Sequence, residues 1–231
     1  MTAAVGSMAG KDDIGGKIAR LLFQTGAIHI SLQQPFILAA GWASPLYVDC
    51  RLLVGDWQVR RVVTELAAAA IASRFPADTF DSIAGAETAG IPFATLLAEK
   101  MDLPLRYVRK RPLGIGRHAQ VEGGAVEGSR ILLIDDLTTD GSSKLAFARG
   151  LRSAGALLEH VLTIFYNDAF PGAVERLKEA GLELHWLSSW AEVLRSAELP
   201  AADRSAIERF MADPIAWSAR HGGRGARLSR G

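Results

Sequence analysis

The chain has 231 residues, 49% hydrophobic and 22% charged, a composition that excludes a disordered or fibrous protein and favours a single domain with a sizeable core. Lys and Arg number 26 against 25 for Asp and Glu, so a net charge of +1 gives no global pull toward nucleic acid or membrane, and any electrostatic function must be local. The single cysteine, Cys50, excludes an intrachain disulfide framework and a cysteine-based zinc cluster and suits a reducing compartment.

No run reaches the roughly 18 apolar residues that a membrane-spanning helix needs. Residues 1–11 place no basic segment ahead of an apolar run, so they do not read as a secretory signal, and a cytoplasmic location is expected. Residues 1–12 are expected to be flexible. Ile14, Ile18, Leu21 and Leu22 recur at helical spacing before a stop at Gly26. The stretch 35–51 mixes aromatic and turn residues and predicts an extended or hairpin-like pair. Asp56 can cap a long helix with the apolar face Val59, Val62, Val63, Leu66, Ala67, Ala70 and Ile71, ending near Pro76.

From there strands and helices alternate. Strands are predicted at 82–85, 105–108, 131–134, 160–166 and 182–187, and helices at 91–101, 144–154, 172–180 and 203–211. Near-continuous apolar strand cores between helices predict an α/β fold with a mostly parallel sheet covered on both faces. Ligands of such sheets sit beyond the carboxyl ends of the strands. A single domain is expected over 13–217, and 218–231 is expected to be a flexible tail. His29, His160 and His185 read as ordinary packed or surface residues, and Trp186, Trp190 and Trp217 as packing for the C-terminal elements.

The densest chemical signal is the run Ile134-Asp135-Asp136-Leu137-Thr138-Thr139-Asp140-Gly141-Ser142-Ser143-Lys144. A strand leads into two carboxylates, then hydroxyls and a glycine, then a helix start. Helix N-termini present unpaired N–H groups and positive dipole, and hydroxyls add donors, which suits a phosphate monoester. Paired carboxylates suit a sugar diol or a cation carried by the substrate. The Gly-Lys-Ser/Thr ending of a Walker loop is missing. Asp140 would repel a phosphate unless it turns outward or pairs with a base such as Lys144.

This run resembles the ribose-phosphate signature of the type I phosphoribosyltransferases. Gly41-Trp42-Ala43-Ser44-Pro45-Leu46-Tyr47-Val48-Asp49, Ala84-Gly85-Ala86-Glu87-Thr88-Ala89-Gly90, Tyr107-Val108-Arg109-Lys110 and Gln120-Val121-Glu122-Gly123 are similar, in order, to segments of the orotate phosphoribosyltransferases. The resemblance implies the type I phosphoribosyltransferase fold, with a small N-terminal hood that binds the base. It implies transfer of ribose 5-phosphate from 5-phosphoribosyl 1-diphosphate (PRPP) to orotate, giving orotidine 5′-monophosphate and diphosphate. It also implies Mg2+ carried mainly by substrate oxygens, and a homodimer whose lid loop acts across the interface.

By this resemblance PRPP is bound by Glu87, Thr88, Arg109, Lys110, Arg111, Arg117, Asp135, Asp136, Leu137, Thr138, Thr139, Asp140, Gly141, Ser142 and Ser143. Arg109, Lys110, Asp135 and Asp136 carry catalysis, and Thr139, Tyr47 and Val48 face the orotate. The loop 85–90 can be either a diphosphate cradle or a tight strand-to-helix packing turn. The basic, glycine-hinged stretch 106–118 can be a solvated basic loop, and the resemblance implies a lid over a polyphosphate. It departs from its relatives at Leu113, where the common form has a lysine, and at Ile115, where a histidine is frequent. Loss of one transition-state charge contact lowers turnover by about 10²-fold. Two other readings stand beside this one: a phosphoribosyltransferase for another base, and a weakened PRPP-binding regulator, which Leu113 favours.

Overall fold

The structure, a computed structural model, describes residues 13–112, 120–196 and 200–224. Helix α1 (Ile14–Gln24) buries Ile14, Ile18 and Leu22, as the spacing predicts. Strand β1 (Ile28–Ile30) follows, then β2 (Phe36–Ile37), β3 (Ala43–Ser44) and β4 (Leu46–Val48). β2 pairs with β3 and β1 with β4, both antiparallel, so the predicted extended pair is nested inside a second one whose first strand lies upstream. After the single turn α2 (Leu52–Gly55), the Asp56 carboxylate accepts from the N–H groups of Gln58 at 2.8 Å and Val59 at 3.3 Å and caps α3 (Trp57–Arg74). Val62, expected on the buried face of α3, is instead 40% exposed. It shares a surface cleft with Leu52.

The remaining elements alternate as expected: β5 (Ser82–Ala86), α4 (Gly90–Lys100), β6 (Leu105–Val108), β7 (Val121–Glu122), β8 (Arg130–Thr138), α5 (Ser142–Ser153), β9 (Leu157–Tyr166), α6 (Ala173–Glu179) and β10 (Glu183–Ser189). The chain then adds α7 (Trp190–Ser196), α8 (Ala201–Ala212) and α9 (Pro214–Arg220). The central sheet runs β10-β9-β8-β5-β6-β7, parallel throughout except for β7 at the edge. Chain order reverses between β5 and β8, which opens a crevice beyond their carboxyl ends. Within β8, Leu132 and Ile134 join the core formed with Ile18, Ile71 and Phe93, while Leu133 joins Phe147, Leu151 and Leu177 on the other face. Burial on both faces is why these strands read as unbroken apolar runs.

Two expectations are corrected. β8 does not stop at Ile134: β9 keeps pairing alongside it, with Asp135 opposite Thr163 and Thr138 opposite Tyr166, so both acids lie within the sheet. The tail does not begin at residue 218 either. Ser218 is fully buried, its hydroxyl accepts from the Ala43 N–H at 3.0 Å, and the N–H of Arg224 reaches the Gly41 carbonyl at 2.6 Å. Residues 218–224 therefore pack as an arm against β3. Among the described residues no helix is long and apolar enough to cross a membrane.

Candidate active site

Alternation along β8 sends Asp135 and Asp136 toward opposite faces of the sheet. Asp135 meets Lys144, on the first turn of α5, at 2.6 Å, with side-chain exposures of only 9% and 3%. The Lys144 ammonium also donates to the Leu137 carbonyl, and the Asp136 N–H donates to the other Asp135 oxygen at 2.9 Å. Lys144 thus neutralises Asp135 and does not serve Asp140, the partner that sequence spacing suggested. Among the described residues Asp136 has no such cation of its own. Burial first, then the charge of Asp135, pushes its carboxyl up to about 7.

Asp140 turns back on its own loop. Its carboxylate accepts from the Ser142 N–H at 3.1 Å and the Ser142 hydroxyl at 2.6 Å, and Arg176 of α6 lies 3.6 Å away. Burial opposes ionisation here, but the Ser142 hydrogen bonds, with help from Arg176, hold the carboxyl below its ordinary value. Gly141 adopts φ +76, the left-handed region that a glycine enters without strain, and starts α5. A cavity of about 870 Å³ is lined by Thr139, Asp140, Gly141, Ser142, Ser143 and Lys110 together with the arm residues 222–224.

An adjoining cavity of about 690 Å³ lies over the ends of β5 and β8. Glu87, Thr88, Lys110, Asp135, Asp136 and Thr139 line it, with Tyr47 and Val48 on the side of the small N-terminal sheets. The two glycines that flank Glu87 and Thr88 serve packing. A Cβ on Gly85 would sit 2.7 Å from the Ile91 Cα, and one on Gly90 would meet the Ile134 carbonyl and lie 2.9 Å from the Asp135 Cα. Tight approach of α4 to β5 and β8 is therefore the function of these glycines, and the residues between them reach the cavity.

The expected basic residues divide. Lys110 lines both cavities, and its N–H donates to Glu87 at 2.9 Å. Arg109 lies 3.6 Å from Glu87, 3.4 Å from Glu122 and 5.5 Å over the Tyr107 ring, so it is held by acids in this form. Arg111 is exposed and lines neither cavity. Thr138, expected among the phosphate ligands, is buried at 1% exposure within the continuing strand, and its hydroxyl has no hydrogen-bond partner among the described residues. Arg117, Leu113 and Ile115 lie outside the described residues.

A family model described as "Phosphoribosyl transferase domain" matches residues 58–174. An orotate phosphoribosyltransferase of Sinorhizobium medicae is 44% identical over 217 residues, covering 92% of this chain and 94% of the relative. The chain belongs to the orotate phosphoribosyltransferases. Among solved structures, the orotate phosphoribosyltransferase of Aeropyrum pernix superposes with a TM-score of 0.66 at 29% identity, covering 77% of this chain and 97% of that one. The Leishmania donovani UMP synthase gives 0.72 at 26% identity, covering 86% of this chain and 42% of the longer protein.

Several residues of this phosphoribosyltransferase site escaped the sequence reading. Arg51 and Asp49 both line the cavity of about 690 Å³ and pair at 2.6 Å, and the hydrogen bonds from Arg51 hold the Asp49 carboxyl below its ordinary value. Arg51 also donates to the Tyr47 hydroxyl at 3.3 Å, and the Tyr47 ring sits 5.5 Å from Phe36. Asn167, at the end of β9, reaches the same cavity. An arginine two residues after an aspartate at a strand end was the signal for the first pair. Cys50, between Asp49 and Arg51 in the chain, lies fully buried. Burial, with the carboxylates of Asp136 and Asp49 nearby, pushes its thiol well above the usual range.

At the opposite end of the sheet, His160 and His185 are packed residues, as expected, and they also meet each other. Their ring nitrogens lie 3.1 Å apart beside Glu183, and Phe75 and Phe80 pack against them. Burial pushes His185 down to about 4.

Proposed function

We propose that the two joined cavities bind PRPP and orotate, the ribose 5′-phosphate in the loop 139–143 and the diphosphate beside Lys110, Glu87 and Thr88. The convergence of the β5 and β8 ends with the start of α5 at one crevice carries this reading, since it juxtaposes an anion-accepting helix start with acceptors for a diol. Asp135 and Asp136 hold the ribose hydroxyls. Each Asp135 oxygen already has one partner and keeps lone-pair capacity for another. Thr139, Tyr47 and Val48 face the base.

Transfer breaks the bond from the anomeric carbon to diphosphate and forms one to an orotate nitrogen, through an oxocarbenium-like state. Positioning and charge stabilisation suffice for such a step, and no residue need act as a nucleophile. Arg109 reaches the diphosphate by exchanging its contacts with Glu87 and Glu122 for substrate oxygens.

Mg2+ prefers six oxygens in a near-octahedral shell. The crevice offers one carboxylate already neutralised by Lys144 and a second with a raised proton affinity. That donor set fits an ion delivered on diphosphate and ribose oxygens, with Asp136 completing its surroundings. When bound, the ion offsets charge developing on the leaving diphosphate.

The homodimer with a lid reaching the neighbouring site is part of the proposal. Exposed Leu52, Trp57 and Val62 support it as apolar surface available for burial. So is a cytoplasmic location, which the single buried cysteine suits. Single-turnover assays with PRPP and orotate on the wild type and on Leu113→Lys test the reading. Measurable reaction in the first and a faster one in the second are expected; no orotidine 5′-monophosphate from either would overturn it.

A further inference from the structure

We propose that Arg224, carried by the C-terminal arm, is a binding residue for the 5′-phosphate of PRPP and closes the side of the phosphate cavity that the loop 139–143 leaves open. The inference rests on the reading that this loop takes the 5′-phosphate. It adds a residue far outside the matched region 58–174 and beyond every sequence motif that pointed to the site.

Four observations carry it. The arm is fixed at several points: the Gly223 N–H donates to the Ser218 carbonyl at 2.9 Å, the Ser218 hydroxyl to the Arg224 carbonyl at 3.1 Å, and the Arg224 N–H to the Gly41 carbonyl at 2.6 Å. The guanidinium lies 5.4 Å over the Trp42 ring, and that ring in turn stacks on buried Phe170 at 4.8 Å, so the side chain rests on a platform anchored in the core. Gly222, Gly223 and Arg224 line the same cavity as Gly141, Ser142 and Ser143. Gly223 is close-fitted there, since a Cβ on it would meet the Ala43 nitrogen and the Ser218 hydroxyl.

Charge decides what the arm is for. A phosphate monoester near neutral pH carries close to two negative charges, more than one helix start offsets. Of the cations around the cavity, Lys144 is committed to Asp135 and Arg176 lies against Asp140. Among the described residues, Lys110 and Arg224 line this cavity with no carboxylate ion pair of their own. Lys110 also borders the adjoining cavity proposed for the diphosphate, which leaves Arg224 for the phosphate. Its planar fork matches phosphate oxygens in pairs. The Arg224 charge also contributes to holding Asp140 ionised, which places it within electrostatic reach of the loop.

The test uses ribose 5-phosphate and inorganic diphosphate as separate competitive inhibitors against PRPP. Arg224→Ala should raise the KM for PRPP and the inhibition constant of ribose 5-phosphate at least tenfold, leave that of diphosphate within twofold, and be partly rescued by Arg224→Lys. Gly223→Val, which keeps the arginine but displaces the arm, should reproduce the ribose 5-phosphate effect. Ser142→Ala/Ser143→Ala reports on the loop itself. If that loop variant weakens ribose 5-phosphate while Arg224→Ala does not, the arm is no part of the cradle and the inference falls alone. Equal weakening of both inhibitors by Arg224→Ala also overturns it, since the arm would then act on the fold as a whole. If neither loop nor arm affects ribose 5-phosphate, the reading of the loop falls and takes the inference with it.

Discussion

Replacing Lys144 by methionine removes one charge and keeps an unbranched stem of similar volume. The ion pair it breaks is 2.6 Å long and almost wholly shielded from water, with the partners 3% and 9% exposed. Asp135 is left as an uncompensated buried carboxylate, and its neighbour Asp136 already resists ionisation. Losing one partner of such a pair costs about 3–5 kcal/mol. That is a large part of the ~5–15 kcal/mol that holds a typical domain folded. For a chain of this size it corresponds to a melting temperature lower by roughly 6–20 °C. Adding Asp135→Asn removes the orphaned charge and should return most of the loss, so the double-mutant cycle is expected to be strongly non-additive. Urea denaturation at pH 8 followed by circular dichroism, with calorimetry in parallel, measures both effects. A loss under ~1 kcal/mol for Lys144→Met, or an additive cycle, would refute the idea that this pair must be complete for β8 to carry acids inside the sheet.

The raised proton affinity of Asp136 means that the folded state keeps a proton which the unfolded chain releases, so this contribution to stability is full at acid pH and disappears as pH rises through about 7. Asp136→Asn should therefore flatten the decline in urea midpoint between roughly pH 4 and 7, and an unchanged slope would contradict the assignment. His185 works in the opposite sense. Its folded form stays neutral down to about 4 while the unfolded chain protonates near ~6.5, so stability falls as pH drops through that window, and His185→Asn should shallow the acid limb of the same titration. Gly90→Ala places a methyl against the Ile134 carbonyl and the Asp135 Cα, which should cost about 1–3 kcal/mol and raise the KM for PRPP by shifting the acid pair. An unaltered urea midpoint in that variant would show that α4 can retreat without cost.

Much of this architecture could be read from the chain because the central strands are buried on both faces. Ser82 to Gly85 and Ile131 to Ile134 announce themselves through unbroken apolar or small residues, and Asp56 marks the start of α3 by an ordinary cap. The failures share a physical origin: each depends on a partner distant in sequence. Charge at Asp135 looked like the end of a strand because nothing nearby in the chain reveals that Lys144 will neutralise it within the core. Residues 218–224 looked like a tail because their glycines and arginines have no periodicity, while the contacts that fix them come from Gly41, Trp42 and Ala43, some 175 residues earlier. The His160–His185 pair was invisible for the same reason, since the two rings meet only when β9 and β10 align. The family resemblance singled out the loop 139–143, Glu87, Thr88, Lys110 and both acids, and the fold brings all of them to the lining of the two cavities. Arg51 and Asn167 reach the cavity through the folding of separate segments.

Cys50 offers a handle that follows from its position. Its thiol has no solvent exposure and is disfavoured as thiolate, and it sits two residues beyond the end of β4, which includes Tyr47 and Val48. An alkylating reagent can modify it only during excursions in which the small N-terminal sheets lift from the crevice, so the labelling rate becomes a clock for that excursion. Because the chain carries no other sulfhydryl, mass spectrometry of the intact protein would time the movement directly, with no engineered probe. The orotate position proposed above shares Tyr47 and Val48 of this strand, so added orotate should slow the clock in proportion to its occupancy.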